Sequence, residues 1–376
     1  MIDQQIIVQR DCIGIAVDMT PIDNYGEYLR DILSVRKKVF LVHGRHSYEA
    51  CGAAAFMEEM RQQTQCEYRH FDDFSNNPKY EEMWTGVKDI QDYRPNIIIA
   101  IGGGSVIDMA KLIRYYAQLH IDLIAIPTTA GTGAESTKFA VCYIEGEKTS
   151  IASPAILPNK AVLMPVFTTN NSQYLTACTG FDAFAQAIEA NWNIHATEES
   201  DSYAKEALTL LYRCLAQFAT NPQPCMNDKN WREEMMMGAN LAGQAINIAK
   251  TTAPHAMSYK LTSEYDYPHG HAVALTFPYF AKLNMECNAA NYVGVNYRRY
   301  CNKMRWLKQM IGDPRQDLEE YFRTFIIRLG LGIKQNKPID VELVAKSINL
   351  ERAANNPHRL TEEIVAQAAQ SILKNK

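Results

Sequence analysis

At 376 residues the chain is longer than one hydrophobic core usually fills, which points to two domains. With 47% hydrophobic residues, 21% charged residues and a formal net charge of −4, it reads as a globular enzyme, and a broad electrostatic attraction for nucleic acid or an anionic membrane is excluded. The opening MIDQQIIVQRDCIGIAVDM lacks a signal-peptide pattern, no stretch reaches the roughly eighteen apolar residues of a membrane span, and nine scattered cysteines without a CxxC pair read as reduced cytosolic thiols.

Three continuous apolar runs come first: Lys38 to Val42, Asn96 to Ile101 and Asp122 to Ile126. Runs without polar alternation suit strands buried on both faces of a parallel sheet. Helical patterns lie between them, over Tyr48 to Gln65 and Ser105 to Leu119. Strand, helix, strand at this spacing predicts a doubly wound, Rossmann-like α/β domain over residues 1–166. Pro158, Pro165 and the polar run Thr168 to Ser172 mark a change of character. Helical windows then dominate, over Gly180 to Asn191, Ser200 to Ala219, Trp231 to Ala249 and Thr361 to Leu373, predicting an all-helical domain over 167–376.

Gly102-Gly103-Gly104-Ser105 joins a buried strand to an amphipathic helix. Glycines admit a phosphate close to the backbone, and a helix start presents N–H groups and a positive dipole end, although a ligand-free tight turn also fits. Asp108 follows one turn into that helix. After the third strand comes Pro127-Thr128-Thr129-Ala130-Gly131-Thr132-Gly133-Ala134-Glu135, rich in small residues and hydroxyls. Two such loops at successive strand ends favour a dinucleotide site built on Gly102, Gly103, Gly104, Ser105, Asp108, Thr128, Thr129 and Thr132. The first strand ends in His43-Gly44-Arg45-His46, with no carboxylate for a ribose 2′-hydroxyl. Arg45 is either a solvated loop residue or a partner for a 2′-phosphate, which tilts the expectation from NADH towards NADPH.

In the second half, Asp182 and Gln186 lie four apart on one helical face, while His255 precedes Pro268-His269-Gly270-His271, with His269 14 positions after His255. One carboxylate with two or three imidazoles suits a divalent first-row ion such as Fe²⁺ or Zn²⁺, although isolated histidines are more often structural.

These stretches, in this order and with Thr179 to Ala183 and Asn356-Pro357, resemble the iron-containing (group III) alcohol dehydrogenase family over nearly the whole chain. The resemblance implies a dehydroquinate synthase-like, two-domain fold and a homodimer. It also implies a metal held by an Asp, a His one turn later and two further His. Carried over, these positions are Asp182, Gln186, His255 and His269, so Gln stands where the family has its second ligand. Three outcomes stay open: weak binding through four residues, binding through Asp182, His255 and His269 alone, or a metal-free site. Tyr259, where many relatives have another His, and His271 are the candidates for proton delivery. His271 serves equally as a structural donor behind the ligands.

The stretch Ala245 to His255 is similar to the branch that includes phosphonoacetaldehyde reductases. There Lys250, Thr251 and Thr252 either bind a phosphonate dianion or cap and pack a helix end. The expected activity is NAD(P)H-dependent reduction of a small aldehyde, with phosphonoacetaldehyde as the suggested substrate. Sugar-phosphate cyclases of the dehydroquinate synthase type are the competing reading. Asp182 and the Thr128 to Gly133 loop weigh against them.

Overall fold

The computed structural model describes residues 16–18, 25–145, 147–312, 317–334, 337–348, 350 and 353–376. The opening stretch to Met19 read for a signal-peptide pattern, with Cys12 in it, lies outside them apart from Ala16–Asp18. The chain forms two compact units that divide between Asn171 and Ser172. Among the described residues no helix is long and apolar enough to cross a membrane.

The first unit runs β1 (Ala16–Asp18), α1 (Tyr25–Val35), β2 (Lys38–His43), α2 (Ser47–Ala50), α3 (Ala53–Thr64), β3 (Glu67–Phe71), α4 (Tyr80–Tyr93), β4 (Ile97–Gly102), α5 (Gly104–Tyr116) and β5 (Asp122–Pro127). A hairpin of β6 (Phe139–Ile144) and β7 (Glu147–Ala152) follows, then β8 (Lys160–Val162). Six strands form one parallel sheet in the order β1-β8-β5-β4-β2-β3. Alternate residues serve opposite faces: Phe40, Val42, Ile98, Ala100 and Leu123 pack with side chains of α4 and α5. Val39, Leu41, Ile97, Ile99 and Ile124 pack with those of α1 and α3. Both faces are therefore covered, as the unbroken apolar runs require.

β2 pairs with β3 on one side and β4 on the other, so the strand order reverses at the β2–β4 seam. The carboxyl ends beside such a reversal are where open α/β sheets receive ligands. Here those ends are His43–Gly44 and Gly102. The helix expected over Tyr48 to Gln65 is broken in two, because Gly52 adopts φ +85°, a left-handed conformation that ends α2 and starts α3. β3 reads Glu-Tyr-Arg-His-Phe and lacks the apolar run that marks its neighbours, since it is an edge strand with one face in solvent.

The second unit is helical: α6 (Gln173–Trp192), α7 (Glu198–Thr220), α8 (Pro222–Asn227), α9 (Lys229–Ala249), α10 (Ala253–Tyr265), α11 (His269–Met285), α12 (Tyr297–Met310), α13 (Leu318–Arg328), α14 (Val341–Lys346) and α15 (Glu362–Ile372). Ser172 caps α6 with its hydroxyl, which accepts the Leu175 N–H, so the helix starts at Gln173, seven residues before the expected Gly180 start. From Thr176 to Trp192 nearly every side chain is buried, the mark of a central helix enclosed on all sides. It packs against α7, α9 and α11. Whatever polar groups it carries are thus held in a dry, rigid setting.

Candidate active site

The two glycine- and hydroxyl-rich loops meet. A Cβ on Gly104 would lie 2.8 Å from the Thr132 hydroxyl, and one on Gly102 2.5 Å from Val106, so neither position has room for a side chain. Gly103 differs: its nearest neighbour would be the Thr129 hydroxyl at 3.8 Å. The Thr128 N–H donates to the Gly102 carbonyl at 3.0 Å and fixes one loop against the other. Gly103 caps α5, whose N-terminus carries the positive end of the helix dipole.

Two of the expected cofactor residues have other partners. Ser105 donates to the Asn76 carbonyl at 2.6 Å. The Asp108 carboxylate accepts the Val141 N–H at 2.9 Å and lies 3.3 Å from the Lys111 ammonium. Lys111 is fully buried and also donates to the Thr137 hydroxyl and the Phe139 carbonyl at 3.2 and 2.7 Å. Asp108 and Lys111 thereby staple α5 to β6 and to the end of the second loop. Arg45 forms an exposed ion pair with Asp73 at 2.6 Å, so a 2′-phosphate there meets a carboxylate already in place.

In the second unit, ligand atoms of Asp182, His255 and His269 all lie within 4.8 Å of one another. His255 Nε2 is 3.1 Å and His269 Nε2 is 3.9 Å from Asp182 Oδ1. Donors 2.0–2.2 Å from one ion and at right to tetrahedral angles stand roughly 2.8–3.6 Å apart; the His255–Asp182 pair lies inside that range and the His269–Asp182 pair just beyond it, so a small turn of the His269 ring completes a donor set for a divalent ion. Gln186 is 4% exposed on the same face of α6.

Gly270 explains how His269 reaches this place. A Cβ there would sit 2.0 Å from the Cys178 carbonyl oxygen and 3.0 Å from the Asp182 Cβ. Only glycine lets the first turn of α11 lie directly on α6. Cys178 is itself a buried packing residue, its thiol pushed up to about 11 by burial.

His271, two residues on, is fully buried. Its ring nitrogens lie 2.8 Å from the Tyr174 hydroxyl and 2.9 Å from the Gly332 carbonyl, and burial lowers it to about 4. It is a neutral imidazole that pins α11 to α6. Tyr259 is 38% exposed, and its ring stacks on His269 with centroids 6.4 Å apart.

Glu189, seven residues after Asp182, is the residue that sequence reasoning passed over. Its Oε1 lies 2.5 Å from His255 Nδ1, and its Oε2 accepts from the Thr252 N–H at 2.6 Å and the Thr252 hydroxyl at 3.0 Å. Burial opposes a proton on His255, but Glu189 together with Asp182 outweighs it and lifts the ring to about 10. The spacing from Asp182 placed Glu189 on the ligand-bearing face, which was the one available signal.

The Lys250 to Thr252 turn is held from several sides. Asn193 Nδ2 donates to the Ala249 and Lys250 carbonyls, and Asn355 Nδ2 to the Thr251 carbonyl. The Thr252 hydroxyl is fully used, since it also accepts from Trp192 Nε1 at 2.9 Å. Lys250 has φ 68° and ψ 169°, a region populated almost only by glycine, which costs about 1–3 kcal/mol. Its side chain is exposed.

Two family models match the chain: iron-containing alcohol dehydrogenase over residues 20–165, and the C-terminal part of the Fe-containing alcohol dehydrogenase family over residues 176–373. Aldehyde-alcohol dehydrogenase 2 of Entamoeba histolytica is 29% identical over 76% of this chain and 36% of its own, so the chain spans about a third of that relative. The phosphonoacetaldehyde reductase of Streptomyces viridochromogenes is 28% identical, covering 73% of this chain and 76% of its own. A solved sulfoacetaldehyde reductase from Bifidobacterium kashiwanohense, in complex with NAD+, shares the fold with a TM-score of 0.79 at 23% identity over 96% of each chain.

Proposed function

The chain belongs to the iron-containing alcohol dehydrogenase family, and we propose that it is an NAD(P)H-dependent aldehyde reductase, or in reverse an alcohol dehydrogenase. The observation that carries this reading is the convergence within 4.8 Å of the buried Asp182 and His255 with the half-buried His269. Asp182, His255 and His269 would hold a divalent ion, which would supply Lewis acidity to the carbonyl oxygen. A reduced nicotinamide bound to the first unit would supply the hydride.

The remaining roles fall to the chain. Gly103, at the open point of the first loop, takes the pyrophosphate against the start of α5, with Thr129 and Thr132 beside it. Gly102, Gly104, Ser105, Thr128 and Asp108 shape that loop and belong to the same proposed cofactor site. Gln186 flanks the ligands from the same helical face without replacing them. Tyr259, exposed and stacked on His269, delivers the proton that completes the alcohol. His271, both ring nitrogens engaged, holds α11 in place.

The proposed substrate is a small aldehyde bearing a phosphonate or similar anion, met by the exposed ammonium of Lys250. The strained backbone that displays Lys250, clamped by Asn193 and Asn355, supports this choice. Thr252 holds the turn and Thr251 lies beside the lysine. Arg45 keeps NADPH in the reading, with Asp73 as its competitor, and a cytosolic homodimer completes it.

Initial rates of NADH and NADPH consumption with plain aldehydes and with phosphonoacetaldehyde test the proposal. Lys250→Ala is expected to raise the KM for phosphonoacetaldehyde by about tenfold or more, the loss of one charge-assisted contact, and to leave plain aldehydes unchanged. Equal effects on both would remove the substrate class. No net nucleotide consumption with any aldehyde would remove the redox reading and favour a cyclase, which recycles its NAD.

A further inference from the structure

We infer that Glu189 is a positioning residue that couples the metal ligand His255 to the turn carrying Lys250. This rests on the reading that Asp182, His255 and His269 hold the ion. Glu189 is fully buried, yet three donors converge on it: the His255 ring at Nδ1, the Thr252 N–H and the Thr252 hydroxyl. The direction of the hydroxyl is set, because Trp192 Nε1–H donates to the Thr252 oxygen and leaves its proton for Glu189. A carboxylate meets all three with two acceptor oxygens, one on each side.

Two consequences follow. On one side, Oε1 holds the Nδ1–H and fixes the ring so that His255 Nε2 faces Asp182 Oδ1 at 3.1 Å; an ion shared by the two would take the place of the Nε2 proton between them. On the other, Oε2 anchors the residue that ends the Lys250 turn, and this turn is joined to His255 by only two residues of α10. Any rotation of the turn therefore pulls on the same carboxylate that orients the ligand. Glutamine at this position has one acceptor oxygen and one amide donor, so it satisfies one side and opposes the other.

The experiment measures Zn²⁺ affinity by competition with a chromogenic chelator, and the visible spectrum of the Co²⁺-loaded protein, for wild type, Glu189→Gln, Thr252→Val, Thr252→Ser and Asp182→Ala. Glu189→Gln is expected to weaken Zn²⁺ binding about 10–100-fold, as loss of a partner behind a ligand does, and to shift the Co²⁺ bands. Thr252→Val removes one of the three donors and is expected to weaken binding about threefold or more, with Thr252→Ser restoring it. Should Glu189→Gln fail to fold, as near-ultraviolet circular dichroism would reveal, the Thr252 pair decides alone. Wild-type affinity and an unshifted Co²⁺ spectrum in Thr252→Val, or in a folded Glu189→Gln, overturn the inference while Asp182→Ala still loses the ion. Undiminished Zn²⁺ binding by Asp182→Ala instead overturns the ligand assignment beneath it.

Discussion

The loops of the first unit and the ligand cluster of the second are built on opposite plans. The loops work through space and backbone: Gly102 and Gly104 fill gaps that admit no Cβ, and the open Gly103 sits at the head of a helix. The cluster works through side chains held by other side chains: Glu189 and Asp182 bracket the His255 ring, and His271 with Tyr174 pins the turn that carries His269. At Gly270 the second plan borrows from the first. A backbone site fails when atoms are added, whereas a side-chain site fails when atoms are taken away.

The sharpest break is Asp182→Ala. It removes the carboxylate both histidines face, and the rate of aldehyde reduction should fall on the order of 10³-fold, the share a lost Lewis acid is worth, with metal content per chain falling in parallel. Next is Gly270→Ala, where the added methyl meets a backbone carbonyl at 2.0 Å. Urea unfolding should show a loss of about 3 kcal/mol, the upper range for forced overpacking, and the protein should purify with less metal.

Gly103→Ala tests the other plan. With 3.8 Å to its nearest neighbour and an extended backbone that any residue adopts, its stability should stay within about 0.5 kcal/mol of wild type. Its nucleotide affinity, measured by NAD(P)H fluorescence titration, should drop about tenfold or more, because the methyl occupies the place of closest phosphate approach. A variant that melts early and binds normally would reverse the comparison.

The smallest expected effect concerns pH. His43 and His70 pair across β2 and β3 at 3.0 Å, and burial, joined for His43 by the charge of His70, holds both rings below their ordinary range. Between those depressed values and about 6.5 the unfolded chain binds more protons than the folded one, so stability falls as pH drops through that window. Replacing His70 with Asn should flatten the fall between pH 7 and 5, followed by denaturant unfolding.

Much of the first unit was legible because its strands are buried on both faces and leave unbroken runs such as Ile97 to Ile101. The edge strand Glu67–Phe71 and the break at Gly52 were not, since one depends on solvent at a sheet edge and the other on a backbone angle. In the second unit the positions of Asp182, His255 and His269 were legible through spacing and family resemblance, and the structure gathers them. The supports were not. Glu189 reads as one more helical acid until Thr252 and His255 are seen around it, and His271 reads equally as a proton source or a structural donor until Tyr174 and Gly332 are found against its ring. Partners brought together by tertiary packing leave no local signature in the chain.

The central claim is metal-assisted reduction at Asp182, His255 and His269, and one titration addresses it most directly. Protein stripped with a chelator is given increasing Fe²⁺ or Zn²⁺ while NAD(P)H oxidation by an aldehyde is followed. The account predicts negligible activity without metal and a rise that saturates at one ion per chain. Full activity in the stripped protein, unaltered by either ion, would contradict it.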